Sequence, residues 1–297
     1  MKKNTDDNFI MLPTVDFCFR ELMQNVKVRQ GFIAALLAVK PETVTETELM
    51  PTILSKDHAD DKLGILDVRV KLLDGTQMDL EMQVASFDYW EKRILFYLSK
   101  MYTEQLKKGE SYEKLQKCIH VSILDFIHFP EDGRSYRTIS FCDMETGGLY
   151  SDLMEIKILE LKKLRKDVPE HGSVYGWMKF FSGKNRKEFD DMAQTDEYIG
   201  EACEELKKLS ADERKRLEYE AREKALRDYN SQVKSYYDRG HAAGQELGRA
   251  VGHAEGVQET ILDNIRNLMH SLHLTPEQAM AALKIPAAEQ KKYRSLL

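Results

Sequence analysis

The stretch ILDVRVKLLDGTQMDLEMQV, residues 65–84, constrains the fold more than any other part of the chain. Leu66, Val68, Val70 and Leu72 alternate with polar residues in its first arm, and Met78, Leu80, Met82 and Val84 do so in its second. A period of two puts successive side chains on opposite faces of a strand. Asp74-Gly75 between the arms marks a turn, so the stretch predicts a β-hairpin. The other face then carries Asp67, Arg69 and Lys71 on one arm and Asp79, Glu81 and Gln83 on the next. A two-residue loop of Asp74 and Gly75 would pair 67 with 82 and mix apolar with polar side chains. A three-residue loop, 73–75, with Gly75 in the left-handed conformation, pairs 72 with 76 and sets Asp67 opposite Glu81. A slip of one residue flips a whole face, so the pattern selects the second register.

In that register the Cβ atoms of Asp67 and Glu81 lie about 5 Å apart. Two carboxylates so close repel, and sharing a site raises one pKa. A divalent cation relieves the repulsion. Mg²⁺ prefers hard oxygen ligands, one or two carboxylates with waters and substrate phosphate completing its shell. Gln83 points to the same face and can position a water or a phosphate oxygen. Such a cluster lowers the pKa of bound water and neutralises charge on a phosphodiester. The same residues also suit a solvent-facing strand whose acids Arg69 and Lys71 neutralise. Spacing alone leaves both readings open.

Around the hairpin, residues 14–39 read as helix in one or two pieces, 41–51 as a connector, and 87–107 as a helix with Trp90, Ile94, Leu98 and Met101 along one side. Residues 118–129, CIHVSILDFIHF, read as a nearly continuous apolar strand of the kind buried on both faces. Residues 135–142 and 155–161 look like further strands. This order predicts an α/β or α+β domain, a sheet with helices packed on it. SVYGWMKFFSG reads as a short helix closing that domain, with the boundary at 184/185. Residues 185–297 form an all-helical extension. Ser210 and Glu213 read there as a capping box. Glycines at 240, 244, 248, 252 and 256 recur every four residues. Each costs a helix about 1 kcal/mol relative to Ala. Either they bare a stripe for a second helix, giving a homodimer, or they mark a low-complexity helix. Thr275-Pro276 and Pro286 start two short helices of a small cap.

The net charge of −6 does not suit a protein coated in nucleic acid, although bulk charge says little about one cleft. No run approaches the roughly 18 apolar residues of a membrane span. The start, MKKNTDDNFIML, has no apolar core of a signal peptide. Cys18, Cys118, Cys142 and Cys203 lack metal-binding spacing and read as free thiols of a cytoplasmic protein. His58, His120 and the other histidines show no ligand spacing and receive no role.

An Asp on one strand, a turn, then Glu-x-Gln on the next resembles the PD-(D/E)XK nuclease motif. More specifically, the chain resembles the Rpn family of recombination-promoting nucleases, also described as PD-(D/E)XK nuclease family transposases. DFCFRELM (16–23) is similar to that family's Asp-x-x-Phe-(Lys/Arg) opening, and LDVRVKLLDGTQMDLEMQ (66–83) to its core. RILFYLSKMYTEQLKKGESYEKL (93–115) is similar to its Arg-plus-aromatic helix and Gly-x-x-Tyr, and ILELKKL (158–164) to its last conserved block. The resemblance spans roughly residues 10–260. It implies a restriction-endonuclease-like core, a mixed sheet flanked by helices, and cleavage of DNA with Mg²⁺ or Mn²⁺. Carried over, Asp67 and Glu81 are the metal carboxylates, and the Met82 carbonyl is a further ligand. Gln83 stands where the wider superfamily has Lys, and a neutral amide orients and hydrogen-bonds without supplying charge. Arg93 and Tyr97, four apart on one helix face, are placed near the scissile phosphate, Arg93 as its clamp. Asp16 approaches as an accessory acid or caps the first helix.

Overall fold

The computed structural model describes residues 9–54, 65–86, 88–165 and 173–297, so His58 lies outside the described residues. The hairpin closes in the register that its pattern selects. Strands β2 (Val68–Leu72) and β3 (Gln77–Gln83) are antiparallel, with Val68 opposite Leu80 and Val70 opposite Met78. Leu72 N donates to the Thr76 carbonyl at 2.9 Å, and Gly75 sits at φ +86°, where a side chain would be strained. Asp74 Oδ1 accepts from Thr76 N at 2.9 Å and stiffens the turn.

This hairpin belongs to a six-stranded mixed sheet of order β1-β2-β3-β4-β6-β5, completed by β1 (Thr47–Met50), β4 (Cys118–Leu124), β5 (Tyr136–Cys142) and β6 (Leu149–Glu160). β3–β4 and β4–β6 are parallel and the other pairs antiparallel. A parallel pair needs a long crossover. Between β3 and β4 it holds helix α3 (Trp90–Thr103). β1 falls in the stretch expected to be a connector. TELM carries no period-two pattern, and pairing with β2 makes it a strand.

One face of the sheet is apolar. Val68, Val70, Met78, Leu80, Met82, Ile119, Val121 and Ile123 are buried there with α1 (Asp16–Leu22), α2 (Val26–Leu37), α4 (Val174–Ser182) and α6 (Glu197–Ala211). The segment expected as one or two helices is two, because Asn25 caps α2 by accepting from Lys27 N and Val28 N. Phe32 packs edge-on to Phe181 with ring centroids 5.1 Å apart, and Trp177 lies against both. The opposite face lies under α3. Trp90 and Ile94 pack with Leu124 and Ile158, and Tyr97, Leu98 and Met101 pack with Leu66 and Cys118. Leu66 thus departs from the face expected for it, because the chain bends at Asp67 before β2 begins.

Contacts divide the chain into a unit ending at Ala225 and a second, Leu226–Leu297. The expected division at 184/185 falls earlier, because α5 (Arg186–Met192) and α6 send Phe189, Met192, Ile199, Cys203 and Leu206 into the main core. Ser210 is no helix cap. Its hydroxyl donates to the Leu206 carbonyl and accepts from Met11 N, while Asp212 accepts from Lys215 N and starts α7 (Glu213–Leu272). In the second unit, Leu262 and Ile265 of α7 pack with Met280 of α8 (Pro276–Ala282) and Tyr293 beyond it, in α9 (Ala287–Arg294). Thr275 and Gln278 make a complete capping box. A Cβ added at Gly240, Gly244, Gly248, Gly252 or Gly256 meets nothing within 4 Å among the described residues.

Candidate functional site

The polar face of the hairpin is buried. Asp79 is 0 % exposed and Glu81 3 %, and the neighbouring β4 adds His120 and Ser122, both 0 % exposed. This face is therefore not the solvated surface that Arg69 and Lys71 would neutralise. Arg69 turns to Gln77, donating to its Oε1 at 2.6 Å, and pairs with Glu104, while Lys71 is exposed.

Asp67 sits at the bend before β2, and the hairpin register, continued by one residue, brings it opposite Glu81. Its Oδ2 accepts from Met82 N at 3.2 Å. N–H and C=O of one strand residue point to the same side, so the Met82 carbonyl also faces the edge that β2 vacates at Asp67. Gln83 Nε2 donates to Glu81 Oε2 at 3.2 Å. Arg93 reaches the same carboxylate from α3, its Nη2 lying 3.8 Å from Glu81 Oε1. The Arg93 guanidinium stands 5.1 Å from the Tyr97 ring centroid. Tyr97, expected beside the phosphate, is only 6 % exposed and packs into the cluster under α3. Asp16 is the first residue of α1, and Val15 holds the cap position, so Asp16 is not the N-cap. It pairs with Arg20 at 3.5 Å and lies near enough to Asp67 to disfavour its charge.

Burial governs the ionisation of this group. It raises the Asp67 carboxyl, Asp16 adds to the rise, and the Met82 N–H, Arg20 and Arg93 oppose it. Burial pushes Glu81 up to about 7, helped by the charges of Asp79 and Asp67 and opposed by His120 and Arg93. Asp79 is raised well above the usual carboxylate range by burial and by Asp67. Burial lowers His120 to about 4, which keeps its imidazole neutral. Burial and crowding thus disfavour the charge of all three acids, and a cation among them would stabilise it.

The residues fit such an ion. Glu81 Oε1 is buried without a hydrogen-bond partner among the described residues, and the donors are hard oxygens. No group of three or more His, Cys, Asp or Glu side chains is arranged for a metal among the described residues. The available set is therefore two carboxylates and a main-chain carbonyl, with waters left to complete it.

Sequence reasoning missed Asp79, His120 and Ser122. His120 Nδ1 lies 2.7 Å from Asp79 Oδ2, and its Nε2 lies 2.7 Å from Ser122 Oγ. The available signal was that His and Ser are the polar residues of the apolar run CIHVSIL, at i and i+2 on one face.

A profile of PD-(D/E)XK nuclease family transposases matches residues 13–236, more than half of the chain and all of the elements that build this site. Comparison with curated proteins and with solved structures finds no match.

Proposed function

The chain belongs to the PD-(D/E)XK nuclease family of transposases, and from this premise we propose that it is a metal-dependent DNA endonuclease. It hydrolyses phosphodiester bonds, in a recombination-promoting or transposase-like role, and acts in the cytoplasm. The observation that carries this reading is the pair Asp67 and Glu81, opposite each other across the hairpin, with one buried Glu81 oxygen left without a hydrogen-bond partner among the described residues.

Asp67, Glu81 and the Met82 carbonyl would hold Mg²⁺ or Mn²⁺. Bound there, the ion would supply an acidic water and neutralise charge on the phosphate. Gln83 orients the Glu81 carboxylate through its amide and positions substrate oxygen or water. Arg93 turns from Glu81 to the scissile phosphate as DNA enters, a planar donor suited to two phosphate oxygens. Tyr97 works through Arg93, presenting its ring to the guanidinium. Asp16 is an accessory acid at the rim, facing Asp67 and held by Arg20.

The test is nicking of supercoiled plasmid with Mg²⁺ or Mn²⁺ by wild type and Asp67→Ala. Wild type should nick and the variant should not. Equal nicking by both, or none by wild type over a range of DNAs and metals, refutes the assignment.

One feature favours a second reading, a nuclease-fold module that binds DNA or a protein without turnover. Gln83 occupies the position at which the wider superfamily carries Lys. Binding without cleavage would decide for it. The open glycine stripe of α7 supports a homodimer, since five glycines at about 1 kcal/mol each lack an internal reason among the described residues. Light scattering that shows a monomer at high concentration would reject the dimer.

A further inference from the structure

The fully buried carboxylates of the sheet are treated differently. Glu160 accepts from His128 N at 2.7 Å, Phe129 N at 3.1 Å and Lys163 Nζ at 2.8 Å, and Arg137 lies 3.4 Å from it. Both of its oxygens are satisfied, and its role is to pin the loop after β4. Asp79 has a partner for one oxygen only. Its Oδ2 faces His120 Nδ1 at 2.7 Å, and its Oδ1 is buried without any hydrogen-bond partner among the described residues. A buried unpaired oxygen of this kind is costly and calls for an explanation.

Strand geometry shows where that oxygen belongs. Asp79 and Glu81 are i and i+2 on one strand, so they share a face, and across the parallel ladder Asp79 pairs with His120 and Glu81 with Ser122. Asp79 stands close enough to feel the charge of Asp67 and to disfavour that of Glu81. The two orphaned carboxylate oxygens of the described chain, Asp79 Oδ1 and Glu81 Oε1, therefore belong to one polar pocket. Among the described residues no three carboxylate, imidazole or thiolate groups are arranged to hold an ion, so Asp79 is assigned to the layer outside Asp67 and Glu81. Its unpaired oxygen and its place two residues from Glu81 on the same strand face fit a water between it and the ion.

We propose that Asp79, His120 and Ser122 form the outer layer of the cation site. Asp79 Oδ1 accepts a hydrogen bond from a water bound to the ion. His120 fixes Asp79 by donating from Nδ1 to Oδ2, and Ser122 fixes the tautomer of His120 by donating its hydroxyl proton to Nε2. All three are positioning residues. The inference rests on the cation site between Asp67 and Glu81 proposed above. It adds that the ion's affinity depends on a hydrogen-bond chain reaching into the neighbouring strand. Partners of this second layer are typically worth about 10- to 100-fold in metal affinity.

The experiment is calorimetric titration of Mn²⁺ into the full-length protein, with thermal unfolding recorded in chelator for every variant. Asp79→Asn should bind Mn²⁺ at least about 10-fold more weakly. It should melt no lower than wild type, because the amide keeps the shape of the carboxyl group and asks for no buried charge. His120→Leu should lose affinity to a similar degree, whereas His120→Asn, whose amide keeps a donor near Nδ1, should retain most of it. Both His120 changes leave the Asp79 carboxyl group in place and differ in the donor they offer it, so this pair tests whether the hydrogen bond to Asp79 carries the effect. Affinity within twofold of wild type in Asp79→Asn, or equal affinity in the two His120 variants, overturns the inference. Failure of the cation site itself gives a different result, in which wild type binds no Mn²⁺ or Asp67→Ala binds as wild type does.

Discussion

Glu81→Gln offers a test of the site's electrostatics that needs no substrate. The substitution keeps the shape and keeps an oxygen for the Gln83 amide, which now reaches Glu81 at 3.2 Å. It removes a charge that burial and the neighbouring acids disfavour, the forces that move Glu81 from 4.5 to about 7. At 1.36 kcal/mol per pH unit, this displacement corresponds to about 3 kcal/mol. The sign follows from the proton. A carboxyl whose folded pKa is raised binds protons better folded than unfolded, so stability falls as pH rises from 4.5 toward 7. The variant escapes this loss. In chelator it should match wild type near pH 4.5, gain steadily to about pH 7, and hold an advantage of about 3 kcal/mol at pH 8. In a unit of this size that is about 6–12 °C of melting temperature. Excess Mg²⁺ should erase much of the difference, because wild type gains about 2.7 kcal/mol at a hundred times the dissociation constant and the variant gains less. The assay is thermal or urea unfolding from pH 4.5 to 8 with and without the ion. A variant less stable than wild type at pH 8 in chelator, or an advantage that does not change with pH, would refute the reasoning.

Two further outcomes follow from the geometry. Arg93 lowers the pKa of Glu81 and stands over Tyr97, so Arg93→Ala should move the alkaline rise of metal binding to higher pH and cut plasmid nicking at least about 10-fold. Arg93→Lys should restore the pH midpoint more fully than the nicking, since an ammonium lacks the planar fork. Of the four thiols, Cys142 is exposed, whereas Cys18, Cys118 and Cys203 are buried, and burial pushes Cys118 and Cys203 up to about 12. Native protein should therefore consume one equivalent of an aromatic disulfide reagent quickly, releasing one aromatic thiolate as the mixed disulfide forms, and the rest only on unfolding, as a spectrophotometric thiol count will show.

The sequence made the hairpin legible because two independent local rules agreed. Alternation set which residues share a face, and Gly75 supplied the left-handed position that a three-residue loop needs. The proximity of Asp67 and Glu81 followed from those rules alone. The rest depended on contacts that no local pattern encodes. β1 has four residues without a period, and its identity comes from the edge of β2. The boundary after 184 was set by the last recognisable strand and the short helix after it, yet the inner stripe of α6 reaches the core through Ile199, Cys203 and Leu206. His120 carried no ligand spacing because its partner Asp79 lies 41 residues away, across a parallel pairing that only the folded sheet discloses. Tyr97 shares a helix face with Arg93 in any reading, but only packing shows that this face covers a sheet rather than a groove.

The hairpin also has a place in time. β2 and β3 are joined by a three-residue turn, and such hairpins close in about 1–10 μs. β3 can pair with β4 only after the chain closes a loop 41 residues long, from Gln77 to Cys118, a slower event. In an isolated hairpin Asp67 and Glu81 would face water, where their repulsion is weak, and it is the docking of β4 and α3 that encloses them. The electrostatic cost of the site falls on that late docking step. Glu81→Gln, which carries no charge into that step, should therefore refold faster than wild type at pH 8 in chelator, and equal refolding rates would show that the carboxylates are not what slows completion of the sheet.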